Sequence, residues 1–188
     1  MPEEVEFFEG PAAFETWLEK NADTADEVWV KFAKKGTGVR SLDWAGAVEV
    51  VLCFGWIDSQ VRRLDENWYV QRFTPRRPRS NWAKLNRVKV EKLIAEGRIR
   101  PRGMAEVEKA KADGRWEAAY DSPSTASIPD DLAAALEAAG ARAAFDALDS
   151  QNRYAVLHRV QTVKTPAGRA KRIAALVDLI ASGGKPHP

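Results

Sequence analysis

The fold of this chain is decided by two neighbouring stretches of sequence, Phe54-Gly55-Trp56-Ile57-Asp58-Ser59-Gln60 and Tyr69-Val70-Gln71-Arg72-Phe73-Thr74-Pro75-Arg76-Arg77-Pro78-Arg79-Ser80-Asn81-Trp82. Both begin as extended runs that contain aromatic and β-branched residues, which favour strands. The segment Asp65-Glu66-Asn67 between the runs fits a three-residue turn. Pro75 and Pro78 end the second run, since proline cannot donate to a sheet ladder. The sequence therefore predicts a β-hairpin of residues 56–64 and 68–76.

The pairing of this hairpin predicts one polar and one apolar face. If Leu64 pairs with Trp68, then Gln60 faces Arg72 and Asp58 faces Thr74. Side chains alternate along each strand. The alternation predicts an apolar core face made of Ile57, Val61, Tyr69 and Phe73. It predicts a polar recognition face made of Trp56, Asp58, Gln60, Arg62, Trp68, Arg72, Thr74 and Arg76.

Aromatic rings beside guanidinium groups are suited to gripping a flat or anionic ligand. Ser80 is placed to cap a helix over residues 81–96, whose first backbone amides would add donors for an anion. We therefore predict a ligand-binding pocket on the polar face and on the turn formed by residues 75–79, which we call the Pro-Arg turn. Its predicted residues are Trp56, Asp58, Gln60, Arg72, Thr74, Arg76, Arg77, Ser80 and Trp82. We assign no catalytic residue, no metal ligand and no cofactor, and we expect a non-catalytic protein.

Structural interpretations stand beside this hypothesis. The arginines can be a solvated loop, and the tryptophans can be core residues. For Asp58 we favour pairing with Arg72 or Arg76; as an alternative, Asp58 is the acid or base of an enzyme of unknown reaction. Cys53 lies in an apolar helix end and reads as a buried, inert thiol. The two histidines, His158 and His187, form no recognisable zinc pattern.

The charge of the chain is strongly asymmetric. Residues 1–61 carry 5 basic and 12 acidic side chains, whereas residues 62–102 carry 13 basic and 4 acidic ones. So dense a basic block can attract phosphates, and we hold nucleic-acid binding as an alternative function. The acidic first third can equally neutralise the block inside the fold.

The rest of the chain predicts an α+β fold, a small mixed or antiparallel sheet with flanking helices followed by a helical segment. We expect an α+β domain over residues 1–120 and a small polar linker over 121–127. A helical segment over 128–181 and a flexible tail over 182–188 follow. A strand at 28–32 and a helix starting near Ser41 or Asp43 flank the loop Lys34-Lys35-Gly36-Thr37-Gly38.

The composition indicates a soluble protein of the cytoplasm. The chain has 188 residues, 30% of them charged, and no apolar run long enough to insert into a membrane. Its acidic start lacks the pattern of a secretory signal. One cysteine cannot form an internal disulfide, which fits a reducing compartment. We expect a small anionic or planar ligand as partner, and the sequence leaves the oligomeric state open.

Three central motifs resemble the signature of the YdeI/OmpD-associated family, also called bacteriocin-protection proteins. They are Gly55-Trp56-Ile57-Asp58-Ser59, Arg72-Phe73-Thr74-Pro75-Arg76-Arg77 and Ser80-Asn81-Trp82-Ala83-Lys84-Leu85-Asn86. The segments Ile128-Pro129-Asp130-Asp131-Leu132 and Gly168-Arg169-Ala170-Lys171-Arg172-Ile173 are similar to that family's closing helical segment. The resemblance runs from about Phe7 to Ala181. It implies a role in tolerance to bacteriocins or other antimicrobial peptides, and it brings no catalytic residue with it.

Overall fold

The structure, a computed structural model, describes residues 4–187 and confirms the α+β prediction. It contains a four-stranded mixed sheet with flanking helices, followed by a run of helices. The elements are, in chain order, β1 (Glu6–Phe7), α1 (Pro11–Asn21), β2 (Val28–Ala33), α2 (Trp44–Cys53), β3 (Trp56–Arg63), β4 (Trp68–Pro75), α3 (Lys84–Ala95), α4 (Pro101–Ala112), α5 (Asp130–Ala138), α6 (Arg142–Asp146), α7 (Ser150–Gln161) and α8 (Pro166–Ala181).

The sheet has the strand order β1-β2-β4-β3. β1 runs parallel to β2, while β4 pairs antiparallel with both β2 and β3. The predicted hairpin is therefore present, but β4 lies in the middle of the sheet and β3 at its edge. β3 is accordingly exposed from Ser59 to Arg63.

A bulge in β3 corrects the predicted hairpin register. Near the turn the pairing is as predicted, because the Leu64 amide donates to the Trp68 carbonyl at 3.1 Å. Between Asp58 and Val61 the register shifts by one residue, so Asp58 lies opposite Phe73 and not Thr74. The extra residue of a bulge re-aims the side chains beyond it. The expected facing of Gln60 with Arg72 falls in this irregular stretch.

The chain divides into two compact units. The N-terminal unit comprises the described residues up to Trp82 together with Asn86–Ala118, and the helical unit comprises Ala83–Leu85 and the described residues from Ala119 onwards. In the N-terminal unit Phe14 of α1 packs on Phe73, with ring centres 5.6 Å apart. In the helical unit the apolar core includes Leu132, Leu136, Phe145, Val156, Val160 and Ile180.

Two other sequence expectations need adjustment. The helix predicted from Asn81 begins only at Lys84, so Ser80 does not cap it. The tail, for which we expected flexibility, lies against α7. There the His187 amide donates to the Asn152 side-chain oxygen at 2.7 Å, and Arg159 donates to the Pro186 carbonyl at 3.3 Å.

Candidate functional site

The predicted site residues occupy three different environments of the N-terminal unit. Arg72 and Thr74 lie on one face of β4, together with Trp68. Arg62 joins this face because it pairs with Val70. Neighbouring β2 adds two residues that the sequence analysis did not assign to the site, Trp29 and Lys31.

On this face the cations lie over the aromatic rings. The Lys31 ammonium is 4.1 Å from the centre of the Trp68 ring. The Arg62 guanidinium is 4.7 Å from the centre of the Trp29 ring, and it also donates to the Gln60 side-chain oxygen at 3.1 Å. Long cationic side chains commonly cover apolar surface in this way while the charge stays in water. The aromatic faces are thereby covered, which disfavours them as open stacking platforms.

Arg72 is engaged by a carboxylate from outside the hairpin. Its guanidinium forms an ion pair with Glu27, and the same hydrogen bonds lower the pKa of Glu27 despite the opposing effect of desolvation. Within residues 4–187, Asp58 has no ion pair. The expected pairing of Asp58 with Arg72 is therefore wrong, because Arg72 pairs with Glu27 and the shifted register places Asp58 opposite Phe73.

The start of the Gly55–Ser59 motif is built for packing. Gly55 ends α2 with a φ of +71°, and a side chain there would meet Glu106 and the Arg102 carbonyl. Trp56 is fully buried, and its indole N–H donates to the Ala22 carbonyl at 3.3 Å. Gly55 thus lies where α2 meets α4, while Trp56 packs on Trp17 of α1 with ring centres 6.3 Å apart. Trp56 consequently offers no ring face to a ligand arriving from solvent.

Residues of the Pro-Arg turn also pack against the rest of the N-terminal unit. Arg76 is buried, its guanidinium lies 3.6 Å from the centre of the Trp82 ring, and its backbone amide donates to the Gly55 carbonyl. Trp82 in turn meets the Trp116 ring edge-on at 4.9 Å. Ser80 closes the turn, since its hydroxyl accepts from the Arg77 amide. Arg77 and Arg79 are exposed. The arginines therefore do not converge on one hollow, contrary to the hypothesis of a shared pocket.

The basic block of residues 62–102 is partly neutralised inside the N-terminal unit. Four of its arginines form ion pairs with carboxylates from the acidic first third of the chain. These pairs are Arg72 with Glu27, Arg98 with Glu49, Arg100 with Glu15 and Glu19, and Arg102 with Asp23. Internal charge balance accounts for these four of its 13 basic residues. This weakens the charge argument for the nucleic-acid alternative, which stays a prediction.

A cavity of about 490 Å³ lies where β2 meets α2, and its wall includes the segment that the sequence predicts only as a loop. Lys34, Lys35 and the backbone of the glycine-rich turn line one side. Trp44 lines the other, with 41% of its surface exposed. We call it the loop cavity. The signal available in the sequence was two adjacent lysines before a Gly-Thr-Gly turn, directly ahead of a helix that begins with tryptophan.

The walls of the loop cavity are held by hydrogen bonds to the sheet. The Lys34 amide donates to the Asn67 carbonyl at 2.8 Å, and its ammonium donates to the Asp65 carbonyl at 2.7 Å. The turn itself needs glycine, because Gly36 and Gly38 have φ values of +89° and +71°. The cations and the Trp44 ring are therefore presented by a braced loop.

Two further side chains give the loop cavity polar character. Asp43 caps α2 by accepting from the Gly46 amide at 2.7 Å, so its carboxylate is already engaged. Burial, with a smaller contribution from Asp43, raises the pKa of Tyr69. The Tyr69 phenol hence stays protonated at neutral pH and can donate a hydrogen bond. The cavity combines cations, one phenol donor and an exposed indole.

The residues usual in catalysis are placed elsewhere. Burial raises the pKa of Cys53 to about 11, which keeps the thiol protonated and unreactive. His158 and His187 line a cavity of about 490 Å³ in the helical unit with Tyr154 and Arg159. Burial and Arg159 lower the pKa of His158. Asp58 lines neither this cavity nor the loop cavity.

The residues that the structure describes contain no candidate metal site and no candidate membrane-spanning helix. Among residues 4–187, histidine, cysteine and carboxylate side chains form no group of three that could hold a metal ion. No helix in that same range combines the length and the apolar character that crossing a membrane requires.

Comparison with known proteins matches two family models to the chain. One, described as a domain of unknown function (DUF8412), matches residues 6–106 and includes the Gly55–Ser59 and Arg72–Arg77 motifs. The other, described as "Bacteriocin-protection, YdeI or OmpD-Associated", matches residues 125–183, which include the predicted closing segments. This confirms the family resemblance over residues 125–183, whereas the three central motifs lie within the DUF8412 match. No curated protein and no solved structure matches the chain.

Proposed function

This chain belongs to the YdeI/OmpD-associated bacteriocin-protection family and carries a DUF8412 domain, and from that premise we propose that it is a binding protein whose loop cavity takes a small planar anion. The observation that carries the proposal is the meeting of Lys34 and Lys35 with the exposed Trp44 ring in one hollow. At about 490 Å³ the hollow lies within the range that small-molecule sites occupy.

The chemistry of the loop cavity supports a ligand with both a ring and a negative charge. The Lys89 ammonium lies 5.8 Å from the centre of the Trp44 ring, farther than the cations over Trp29 and Trp68, and the exposed part of the indole offers a flat surface on which a ring can stack. The lysine ammonium groups supply charge-assisted hydrogen bonds to a carboxylate or phosphate. Tyr69 adds a neutral donor that fixes orientation. This retains the predicted class of ligand, while the site moves from the Pro-Arg turn to the loop before α2.

Binding can be tested by thermal shift with nucleoside monophosphates, sugar phosphates and aromatic carboxylates. A compound present at 100 times its Kd stabilises the folded chain by about 2.7 kcal/mol. The double variant Lys35→Ala with Trp44→Ala should lose the shift, because it removes one cation and the indole ring from the loop cavity. Both side chains are exposed, so their removal leaves the core intact. Lys20→Ala, an exposed lysine at the end of α1, is the matched control and should keep it.

Two outcomes would overturn the binding proposal. One is a panel in which no planar anion shifts the unfolding of the parent chain. The other is a double variant that responds to the active compound as the parent does. Loss of the shift in the Lys20→Ala control would also count against the loop cavity, since it would trace the response to general positive charge.

The family supports a bacteriocin-protection-like role. We propose that ligand binding in the loop cavity is needed for this role and that the protein acts in the cytoplasm. Cells that lack the gene should become more sensitive to bacteriocins or cationic peptides, and the parent gene should restore tolerance. Failure of the Lys35→Ala, Trp44→Ala double variant to restore tolerance, with normal protein levels in the cytoplasmic fraction, is the expected result. Full restoration by that variant would separate the role from the cavity.

A further inference from the structure

The helical unit contains a second kind of hollow, a cavity of about 560 Å³ between α7 and α8. Three of its lining residues are cations and the others are apolar residues or glycine. The cations are Arg159, Lys171 and Arg172, and the larger apolar residues are Val163, Leu176 and Leu179. No carboxylate appears among the lining residues. We call it the α7–α8 cavity.

The positive charge of the α7–α8 cavity is not balanced by neighbouring acids. In the part of the chain that the structure describes, none of its three cations forms an ion pair. Their neighbour Arg169 behaves differently, since both of its outer nitrogens are engaged by Asp131 or the Val160 carbonyl. Like charges gathered on one surface repel one another, and an incoming anion relieves that repulsion.

Arg159 is held in place at the edge of this cavity. Its guanidinium donates to the Pro186 carbonyl at 3.3 Å, so the tail residue fixes one of its nitrogens. A side chain ordered before binding loses less entropy when it captures a ligand. Lys171 and Arg172 are exposed on the adjacent turn of α8 and can close on a charge from outside.

We propose that the α7–α8 cavity binds a small amphiphilic anion, a phosphate or carboxylate that carries an acyl or aryl chain. The anionic group would contact Arg159, Lys171 and Arg172, since guanidinium and ammonium groups make strong hydrogen bonds to such oxygens. The chain would lie on Val163, Leu176 and Leu179, where burial of apolar surface adds affinity. This site is separate from the loop cavity and does not depend on the function proposed above.

The test uses the full chain and dodecyl phosphate below its micelle-forming concentration, followed by calorimetry and by amide chemical shifts. Inorganic phosphate should bind about tenfold more weakly or worse, because it lacks the chain. Dodecyltrimethylammonium has the same chain with a positive head and should not bind. The amides of Gly168, Ala175 and Leu179, which line the cavity, should shift with dodecyl phosphate.

Ala175 provides a variant that changes the charge of the cavity without disturbing the core. It lines the cavity and is exposed, so Ala175→Glu adds a carboxylate among the cations on a good helix former. The expected result is about tenfold weaker binding of dodecyl phosphate. Ala175→Gln has nearly the same size as Ala175→Glu and no charge, so the weaker binding of Ala175→Glu relative to Ala175→Gln measures the effect of the charge alone. Ala174→Glu puts the same charge on an exposed position outside the lining and should change affinity by less than about threefold.

Four outcomes would overturn the proposal. Equal affinity for inorganic phosphate and dodecyl phosphate would show that the apolar floor takes no part. Equal binding of dodecyltrimethylammonium would show that the cations take no part. Equal losses in Ala175→Glu and Ala174→Glu would place binding on the general helix surface. Attachment to phosphatidylglycerol vesicles without binding of free dodecyl phosphate would assign the cations to a bilayer surface.

Discussion

Gly103 shows at the scale of one residue how closely two helices of the N-terminal unit approach. A Cβ at this position would lie 2.2 Å from the Cys53 carbonyl oxygen. That carbonyl also accepts from the Arg100 amide at 3.0 Å, which fixes the start of α4 against the end of α2. Only glycine leaves room for this contact.

Gly103→Ala should therefore destabilise the chain by about 3 kcal/mol, the cost of overpacking against a backbone that cannot move freely. The sign of the change in the free energy of unfolding is informative, because alanine in place of glycine inside an ordinary helix stabilises the protein by about 1 kcal/mol. Urea unfolding followed by tryptophan fluorescence measures the difference. Glu108→Ala, on the exposed side of α4, is the control and should stay within about 0.5 kcal/mol of the parent. A stabilised Gly103→Ala variant would contradict the close approach.

At the scale of elements, one ion pair joins the two closing segments on which the family resemblance rests. Arg169 at the start of α8 donates to both carboxylate oxygens of Asp131 in α5, at 2.6 and 2.9 Å. It also donates to the Val160 carbonyl of α7 at 2.9 Å. The pair lowers the pKa of Asp131 and raises that of Arg169. One guanidinium thus ties three helices of the helical unit.

A double-mutant cycle with Asp131→Asn and Arg169→Gln measures this pair. We expect a coupling of about 0.5–1 kcal/mol, near the upper end for a pair whose side chains remain 28% and 48% exposed. The comparison pair is Arg142 with Asp146, which lies within α6 and spans a single turn. Its coupling should be about 0.3 kcal/mol. A larger coupling in α6 than between α5 and α8 would contradict the assigned role.

Local sequence signals predicted many of the elements, because their causes are local. Asp43 accepts from an amide three residues on, and α2 begins after this cap as expected; Thr165 caps α8 in the same way. The bulge in β3 could not be predicted, since no glycine or proline marks it. The late start of α3 is also tertiary in origin. The buried Arg115 donates to the Ser80 carbonyl at 2.9 Å and thereby holds the preceding turn in place.

At the scale of the whole molecule, the limits of prediction come from charge. The sequence shows how many arginines a segment carries but not which carboxylates reach them. Arg72 and Arg100 looked available for a ligand or nucleic acid until the fold brought Glu27 and Glu15 to them. The loop cavity could not be predicted because the sequence does not show which distant residues meet in the fold. Its lysines are distant in sequence from Tyr69, and only sheet pairing brings them to one hollow.

We expect the free energy of unfolding to be highest at intermediate pH and to fall at both acidic and alkaline pH, because several groups have shifted pKa values. His158 has a pKa below its ordinary value of 6.5, so the unfolded chain takes up that proton first and stability falls as the pH drops below about 6.5. Glu27 and Asp131 have lowered pKa values and add a second loss below about pH 4. Cys53, with a pKa raised to about 11, and Tyr69 act in the opposite direction. Their unfolded forms lose protons first, so stability falls as the pH rises above about 9.

The first acid step can be assigned by replacing His158. Its ring is half-buried and meets the Tyr120 ring edge-on at 4.7 Å, so protonation places a charge in a desolvated position beside Arg159 and lowers the pKa. His158→Gln should flatten the free energy of unfolding between about pH 7 and 5, while the loss below about pH 4 remains. His187→Gln, at the exposed tail position, is the comparison variant, because it replaces the other histidine of the chain. Urea unfolding at a series of pH values makes the measurement, and an unchanged slope in His158→Gln would place the first acid step on another group.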